Sequence, residues 1–200
     1  DTGKVLHDIK KAGKNILFEA QLGALRDVDY GIYPYTSSSS PLAAYAPIGS
    51  GAPGIHVDDV IGIVKAYSTC VGQGPFVVEM FGEEADRLRE AGEEYGAATG
   101  RPRRVGPFDA VASRYGVQVQ GATRLALTKL DVLSYLESIP VCTAYDMGGR
   151  TTRNFPFQPL LTDAKPVLEQ MPGWGADISN VRKWDDLPKE ASLYRTRWNA

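Results

Sequence analysis

From Gln21 to Gly54 the chain passes through Gly31, Pro34, the Ser37–Ser40 run, Pro41, Pro47, Gly49, Gly51, Pro53 and Gly54. Such residues bend or end regular elements in quick succession, so neither helix nor strand is expected there. A long irregular segment inside a compact domain is uncommon, and where it is ordered it usually binds something. A flexible serine linker is the plainer reading. The regular elements have to come from the flanking residues.

Upstream, Val5, Leu6 and Ile9 fall on one face of a short helix ending near Gly13, and Ile16-Leu17-Phe18 reads as a buried strand. Downstream, Asp58 or Asp59 can cap a helix whose apolar positions are Val60, Ile61, Val64 and Tyr67. Phe76 to Met80 suggests a strand, and Glu83 to Ala91 a charged surface helix closed by Gly92. A helix starts near Asp109, and Leu125-Ala126-Leu127 forms a short strand ending at Thr128. Ile139 to Tyr145 and Thr151 to Phe157 flank Gly148-Gly149 as a hairpin, and Asp186 and Pro188 open a last helix over Leu187 to Trp198. This interleaving predicts an α/β fold with a mostly parallel sheet flanked by helices and an antiparallel hairpin appendage.

The composition narrows the function class. A net charge of -2 over 200 residues gives no global attraction to a phosphate backbone, which disfavours a nucleic-acid binder. No apolar run is long enough to span a membrane, and no signal-peptide pattern opens the chain. Cys70 and Cys142 lie far apart without a CxxC pair, which fits a reduced compartment; cytoplasm is the default. His7 and His56 share no metal-ligand spacing and read as surface histidines. The chain begins at Asp1 rather than Met and stops while its last helix still runs, so a fragment of one larger domain is expected.

Three constellations could carry chemistry. In Thr128-Lys129-Leu130-Asp131, a carboxylate after a strand can accept hydrogen bonds from both N1–H and the 2-amino group of guanine, donors that adenine lacks. The Lys129 stem can cover the ring face. The alternative is a solvated loop pair capping a helix at Val132. In Gly96-Ala97-Ala98-Thr99-Gly100-Arg101-Pro102-Arg103-Arg104, exposed backbone N–H groups and three arginines suit an anionic substrate. A nucleic-acid patch or a plain surface loop competes with that reading. Asp27 to Gly31, with Tyr33 to Ser39, offers hydroxyls to a phosphate or ribose, with a linker as the alternative.

Together these stretches resemble the adenylosuccinate synthetase family along nearly the whole chain. The matching pieces include Phe18-Glu19, Asp27 to Asp29, Tyr33-Pro34-Tyr35, Lys65 to Thr69, Gly74-Pro75-Phe76, Gly96 to Arg104, Leu127 to Leu133 and Met171-Pro172-Gly173-Trp174. The resemblance implies that family's fold, here incomplete, and a GTP-dependent ligation of L-aspartate to inosine monophosphate (IMP), a step of purine nucleotide biosynthesis. It implies IMP contacts from Gln21, Ser37, Val71 and Arg101. An aspartate-binding loop would comprise Ala97, Ala98, Thr99, Gly100, Arg101, Pro102 and Arg103. GTP contacts would come from Arg103, Lys129, Leu130 and Asp131.

The sequence departs from the family pattern in places. Leu22 occupies the usual glutamine register, with Gln21 one residue early, and Ser37 replaces a threonine. Cys70 stands where an arginine is common, and Pro102 interrupts an arginine run. The family's phosphate-binding loop, catalytic aspartate, histidine acid and Mg²⁺ ligands have no counterpart before Asp1, and its terminal guanine segment has none beyond Ala200. No catalytic residue or metal ligand is therefore expected in this chain, which would be inactive alone. The resemblance also implies a homodimer. A non-catalytic guanine-nucleotide-binding regulatory module is the competing reading.

Overall fold

The computed structural model describes residues 1–196. In chain order its helices are α1 (Thr2–Lys11), α2 (Ala46–Gly49), α3 (Glu83–Gly92), α4 (Ala110–Gln120), α5 (Gln158–Leu161) and α6 (Lys189–Thr196). Its strands are β1 (Ile61–Lys65), β2 (Ser68–Cys70), β3 (Arg104–Gly106), β4 (Phe108–Asp109), β5 (Arg124–Thr128), β6 (Ser138–Asp146), β7 (Thr151–Thr152) and β8 (Lys165–Pro172). Two compact units result: Asp1–Gly62 with Arg114–Leu125, and Ile63–Ser113 with the described residues from Ala126 onward.

In the first unit, α1 is capped by the Asp1 side chain, which accepts from the Lys4 N–H at 3.1 Å, and its last turn carries Lys10 and Lys11 at the negative end of the helix dipole. The Gly- and Ser-rich segment holds no strand, as its composition predicts, but it does form short helical turns, at Ala24–Arg26, Ala43–Tyr45 and α2, where none was expected. Order there comes from the buried Asp27: its Oδ1 accepts from the N–H groups of Asp29 and Tyr30, both at 2.9 Å, and its Oδ2 from the Ser40 hydroxyl. Burial raises the Asp27 pKa, but those donors outweigh it and hold the carboxyl below its usual value. Ala43 N–H donates to Gln120 Oε1 at 2.8 Å, fastening the same segment to α4.

The second unit holds the main core, where Val105, Phe108, Val132, Ile139, Val141 and Met171 are buried together. β6 is its hub: it pairs in parallel with β4, through Phe108↔Val141, and antiparallel with β7 and β8. β1 pairs with β5, and β2 antiparallel with β3. The fold is therefore α/β with a parallel pairing and helices, and the hairpin around Gly148 and Gly149 is present, closed by Tyr145↔Thr152 and by Met147 N–H donating to Arg150 O, although its second strand is only Thr151–Thr152 and does not run on to Phe157. β8 adds antiparallel structure along the whole of β6 that the sequence reading had not assigned. It ends in Met171-Pro172-Gly173-Trp174, where Trp174 donates to Ser134 Oγ at 3.0 Å and packs edge-on to Tyr194.

Helices follow their amphipathic patterns. α3 buries Ala85, Leu88 and Gly92, spaced along one face. Asp109 starts α4 as expected, its Oδ1 accepting from the N–H groups of Val111 and Ala112, both at 3.0 Å. The last helix also starts where expected, and Trp198, within its predicted span, lies outside the described residues.

Three expectations are overturned. The helix predicted over Val60 to Tyr67 is β1, because β-branched Ile61, Ile63 and Val64 favour a strand and burial alternates with period two over its first residues. Ile16-Leu17-Phe18 is not a strand: no described strand pairs with it, and Leu17 is 91% exposed. Phe76 to Met80 curls into a turn closed by Glu79 N–H donating to Phe76 O, leaving one strand-like bond from Met80 N–H to Val105 O. Gly92 also differs from its predicted part, since it is the last residue of α3 and Glu93 takes the left-handed cap at φ 54°.

Candidate functional site

The most concentrated chemistry of the second unit surrounds Glu94, which is 1% exposed. Its Oε1 accepts from Lys65 Nζ at 2.7 Å and from the Tyr67 hydroxyl at 2.5 Å, while Oε2 accepts from Arg103 Nη1 at 2.8 Å. Burial pushes the Glu94 pKa up, but the three hydrogen bonds more than reverse this and hold it below the usual carboxylate range. Burial also raises the Tyr67 phenol, helped by the Glu94 hydrogen bond and by the charges of Glu94 and Asp131. Lys65 leaves the end of β1, donates also to Thr69 Oγ1 at 2.9 Å, and lies over the Tyr67 ring.

β5 delivers the second group. Its last residue is held to β1, with Ala66 N–H donating to Thr128 O and Thr128 Oγ1 to Val64 O. The chain then turns through Lys129 at φ 60°, a left-handed conformation that costs a non-glycine residue. The turn sends Lys129 Nζ to the Gly92 carbonyl at 3.1 Å, where the α3 dipole is negative. Asp131 opens the short 3-10 turn Asp131–Tyr135, exposed and close enough to Tyr67 to act on its ionisation. Lys129, Leu130 and Asp131 form one side of an open depression of about 340 Å³, faced by Ile178, Trp184 and Leu187.

The arginine-rich loop springs from the same cluster. Arg103 N–H donates to Glu94 O, and Tyr95 bridges to Pro102 antiparallel, so the loop is a closed finger. At its tip Gly100 N–H donates to Gly96 O and Arg101 N–H to Thr99 Oγ1, while Ala97, Ala98, Thr99, Gly100, Arg101 and Pro102 face solvent. Arg104 points elsewhere. It makes a bidentate pair with Glu79 at 2.7 and 2.5 Å and donates to the carbonyls of Gly72 and Gly74 at 3.1 and 2.9 Å, fixing the loop that carries the exposed Val71. Cys70, in the usual arginine register, is a neighbour of the same guanidinium at 3.8 Å.

Two expected nucleotide contacts lie in the first unit. Gln21 is exposed beside Leu22, itself at φ 82°. The Ser37 backbone N–H donates to Arg26 O at 2.8 Å, and its hydroxyl donates to Ser39 O at 2.9 Å. The structure thus brings Arg103 and the Lys129–Asp131 tetrapeptide end to one cluster in the second unit. It also supplies Lys65 and Tyr67, which the sequence marks only within the matching Lys65 to Thr69 piece and to which it assigns no contact, and Glu94, which it does not single out. A lysine ending an apolar strand, beside a tyrosine, was the available signal, since such a cation requires a buried acceptor.

Comparison with known proteins gives one consistent result. A family model described as adenylosuccinate synthetase matches residues 1–199. The adenylosuccinate synthetase of Mycobacterium tuberculosis is 50% identical over 198 residues, covering 98% of this chain and 46% of that protein. That of Pelobacter propionicus is 48% identical over the same length. The fully ligated adenylosuccinate synthetase of Plasmodium falciparum superposes with a TM-score of 0.92 at 34% identity, over all of this chain and 48% of that one. The chain spans about half the length of these relatives.

Proposed function

This chain belongs to the adenylosuccinate synthetase family, and on that premise we propose that it supplies substrate-recognition machinery for the GTP-dependent joining of L-aspartate to IMP. In that reaction the γ-phosphoryl group of GTP passes to O6 of IMP, releasing GDP. The aspartate amine then attacks C6, loses a proton, and phosphate departs with the oxygen.

Lys129, Leu130 and Asp131 take the guanine base. The Asp131 carboxylate accepts from N1–H and the 2-amino group, and a base without those donors leaves it unpaired. Arg103 meets GTP and aspartate, the finger Ala97 to Arg103 receives the aspartate carboxylates, and Arg101 also reaches IMP. Gln21 and Ser37 in the first unit, and Val71 in the second, are each proposed as an IMP contact. The observation that carries the reading is the shared anchoring of the two groups: Lys129 is tied to Gly92 and Arg103 to Glu94, two residues apart at the end of α3.

Mg²⁺ is the metal the family implies beside GTP. Among the described residues no three His, Cys, Asp or Glu side chains gather where they could hold a metal ion. Among the described residues no helix is long and apolar enough to cross a membrane. A cytoplasmic homodimer, using neither nucleic acid nor membrane, completes the proposal.

The test is calorimetric titration of GTP and ATP into the full-length synthetase carrying this chain, with and without Asp131→Asn. The substitution should weaken GTP binding while IMP still binds; an unchanged preference for GTP over ATP would sink the guanine assignment. GTP binding without aspartate-dependent phosphate release would favour a regulatory module instead.

A further inference from the structure

We infer that Glu94 is a positioning residue for aspartate recognition: it holds one edge of the Arg103 guanidinium so that the opposite edge is presented ready-formed to a substrate carboxylate. The inference rests on the reading of Ala97 to Arg103 as the aspartate loop and adds a residue behind it.

A guanidinium binds a carboxylate most strongly through two parallel N–H donors, and the Nε–Nη2 edge provides such a pair. In this structure Arg103 uses Nη1 on Glu94, at 2.8 Å, leaving that edge whole and, among the described residues, without a protein acceptor. The side chain is 34% exposed, enough for a ligand to reach it. Its main chain is held as well: Arg103 N–H donates to Glu94 O at 2.9 Å, and Arg103 O accepts from Arg89 Nε at 3.0 Å.

The orienting carboxylate is itself fixed. Glu94 sits just past α3, its N–H donating to Arg89 O, and its other oxygen is occupied by Lys65 and Tyr67. A free arginine on an exposed loop would have to give up rotamer freedom on binding; one already restrained gives up less, which strengthens capture of the ligand. Lys65 also settles the charge. Two cations face one carboxylate, so Glu94 orients Arg103 without cancelling the positive field that attracts an acidic substrate.

The experiment measures KM for aspartate, IMP and GTP, with kcat, in the full-length synthetase carrying this chain. Four forms are compared: unsubstituted, Glu94→Gln, Arg103→Leu and the double variant. Glu94→Gln should raise the aspartate KM at least about tenfold, with kcat and the IMP KM within about threefold and the GTP KM moved no further than Arg103→Leu, itself a proposed GTP contact, moves it. Because Glu94 acts through Arg103, adding Glu94→Gln to Arg103→Leu should worsen the aspartate KM by less than about twofold.

If Arg103→Leu raises the aspartate KM and Glu94→Gln does not, the positioning role is wrong and the loop reading stands. Independent, multiplying effects, or an equal rise in all three KM values, reduce Glu94 to scaffold and overturn the inference. An aspartate KM untouched by Arg103→Leu removes the loop reading itself. Should Glu94→Gln fail to fold, Glu94→Asp keeps the charge but draws it back by one methylene. Its aspartate KM should still rise selectively, and an unchanged value overturns the inference.

Discussion

The Tyr194 hydroxyl donates a hydrogen bond to the Ala66 carbonyl at 2.6 Å, tying α6 to the turn between β1 and β2. Both residues are fully buried, and the Tyr194 ring meets Phe108 and Trp174 edge-on at 6.5 and 6.1 Å. Tyr194→Phe preserves that packing and removes only the donor. It should cost about 1–2 kcal/mol, the range for a buried acceptor left without its partner. Equilibrium denaturation of the two forms measures the difference; equal stability would show that another donor reaches Ala66.

A glycine-to-alanine change inside a helix normally stabilises it by about 1 kcal/mol. Gly92→Ala should do the opposite. A β-carbon there would lie 2.4 Å from Tyr67 Oη and 3.2 Å from Glu94 Cγ, in the packing that forms the buried Tyr67–Glu94 bond. Gly54→Ala meets no atom within 4 Å and serves as the control. The expected result is a fall in melting temperature for Gly92→Ala alone.

Two buried carboxylates should give opposite pH signatures. The Glu94 pKa is lowered by its donors, so its stabilisation is present above the unfolded value and disappears as pH falls through the folded one. Burial raises the Asp109 pKa beyond what its bonds from Ala112, Tyr145 and Val111 can offset. Its contribution is therefore greatest below the unfolded value and declines as pH rises through the folded one. Asp109→Asn retains a capping oxygen and should flatten only the second trend. Denaturation midpoints taken from acid to neutral pH check this, and an Asp109→Asn profile parallel to the original would contradict it.

Lys129 holds a left-handed backbone, which glycine adopts without penalty. Lys129→Gly should consequently cost little stability: it loses the bond to Gly92 and gains about 0.4–1 kcal/mol of unfolded-state freedom, against about 1–3 kcal/mol of relieved left-handed strain. GTP affinity should fall all the same, because the stem proposed to cover the base is gone. Calorimetric titration together with a melting curve separates the two effects. Strong destabilisation would show that Lys129 serves chiefly to close α3.

Much of this was legible in the chain because the relevant signals were local. Asp109 and the Gly148-Gly149 pair announced a helix start and a hairpin, and Thr128 to Asp131 showed a polar turn leaving an apolar strand. Val60 to Tyr67 misled because Val60, Ile61 and Val64 satisfy a helical spacing, and only β-branching argued for a strand. Ile16 to Phe18 has strand composition, yet a strand exists only where another pairs with it. Glu94 was hidden for a different reason: its donors at positions 65, 67 and 103 are distant in sequence, and its neighbours Glu90 and Glu93 made it look like one more surface charge.

The convergence on Glu94 also restricts how this protein can vary. A change at position 94 strands two cations and a phenol together, whereas a change at 65, 67 or 103 removes one donor from a buried anion. Random drift at any of the four is thus selected against one position at a time, and tolerated replacements should arise as matched sets. A descendant that exchanged Glu94 for an uncharged residue would be expected to have exchanged Lys65 or Arg103 as well.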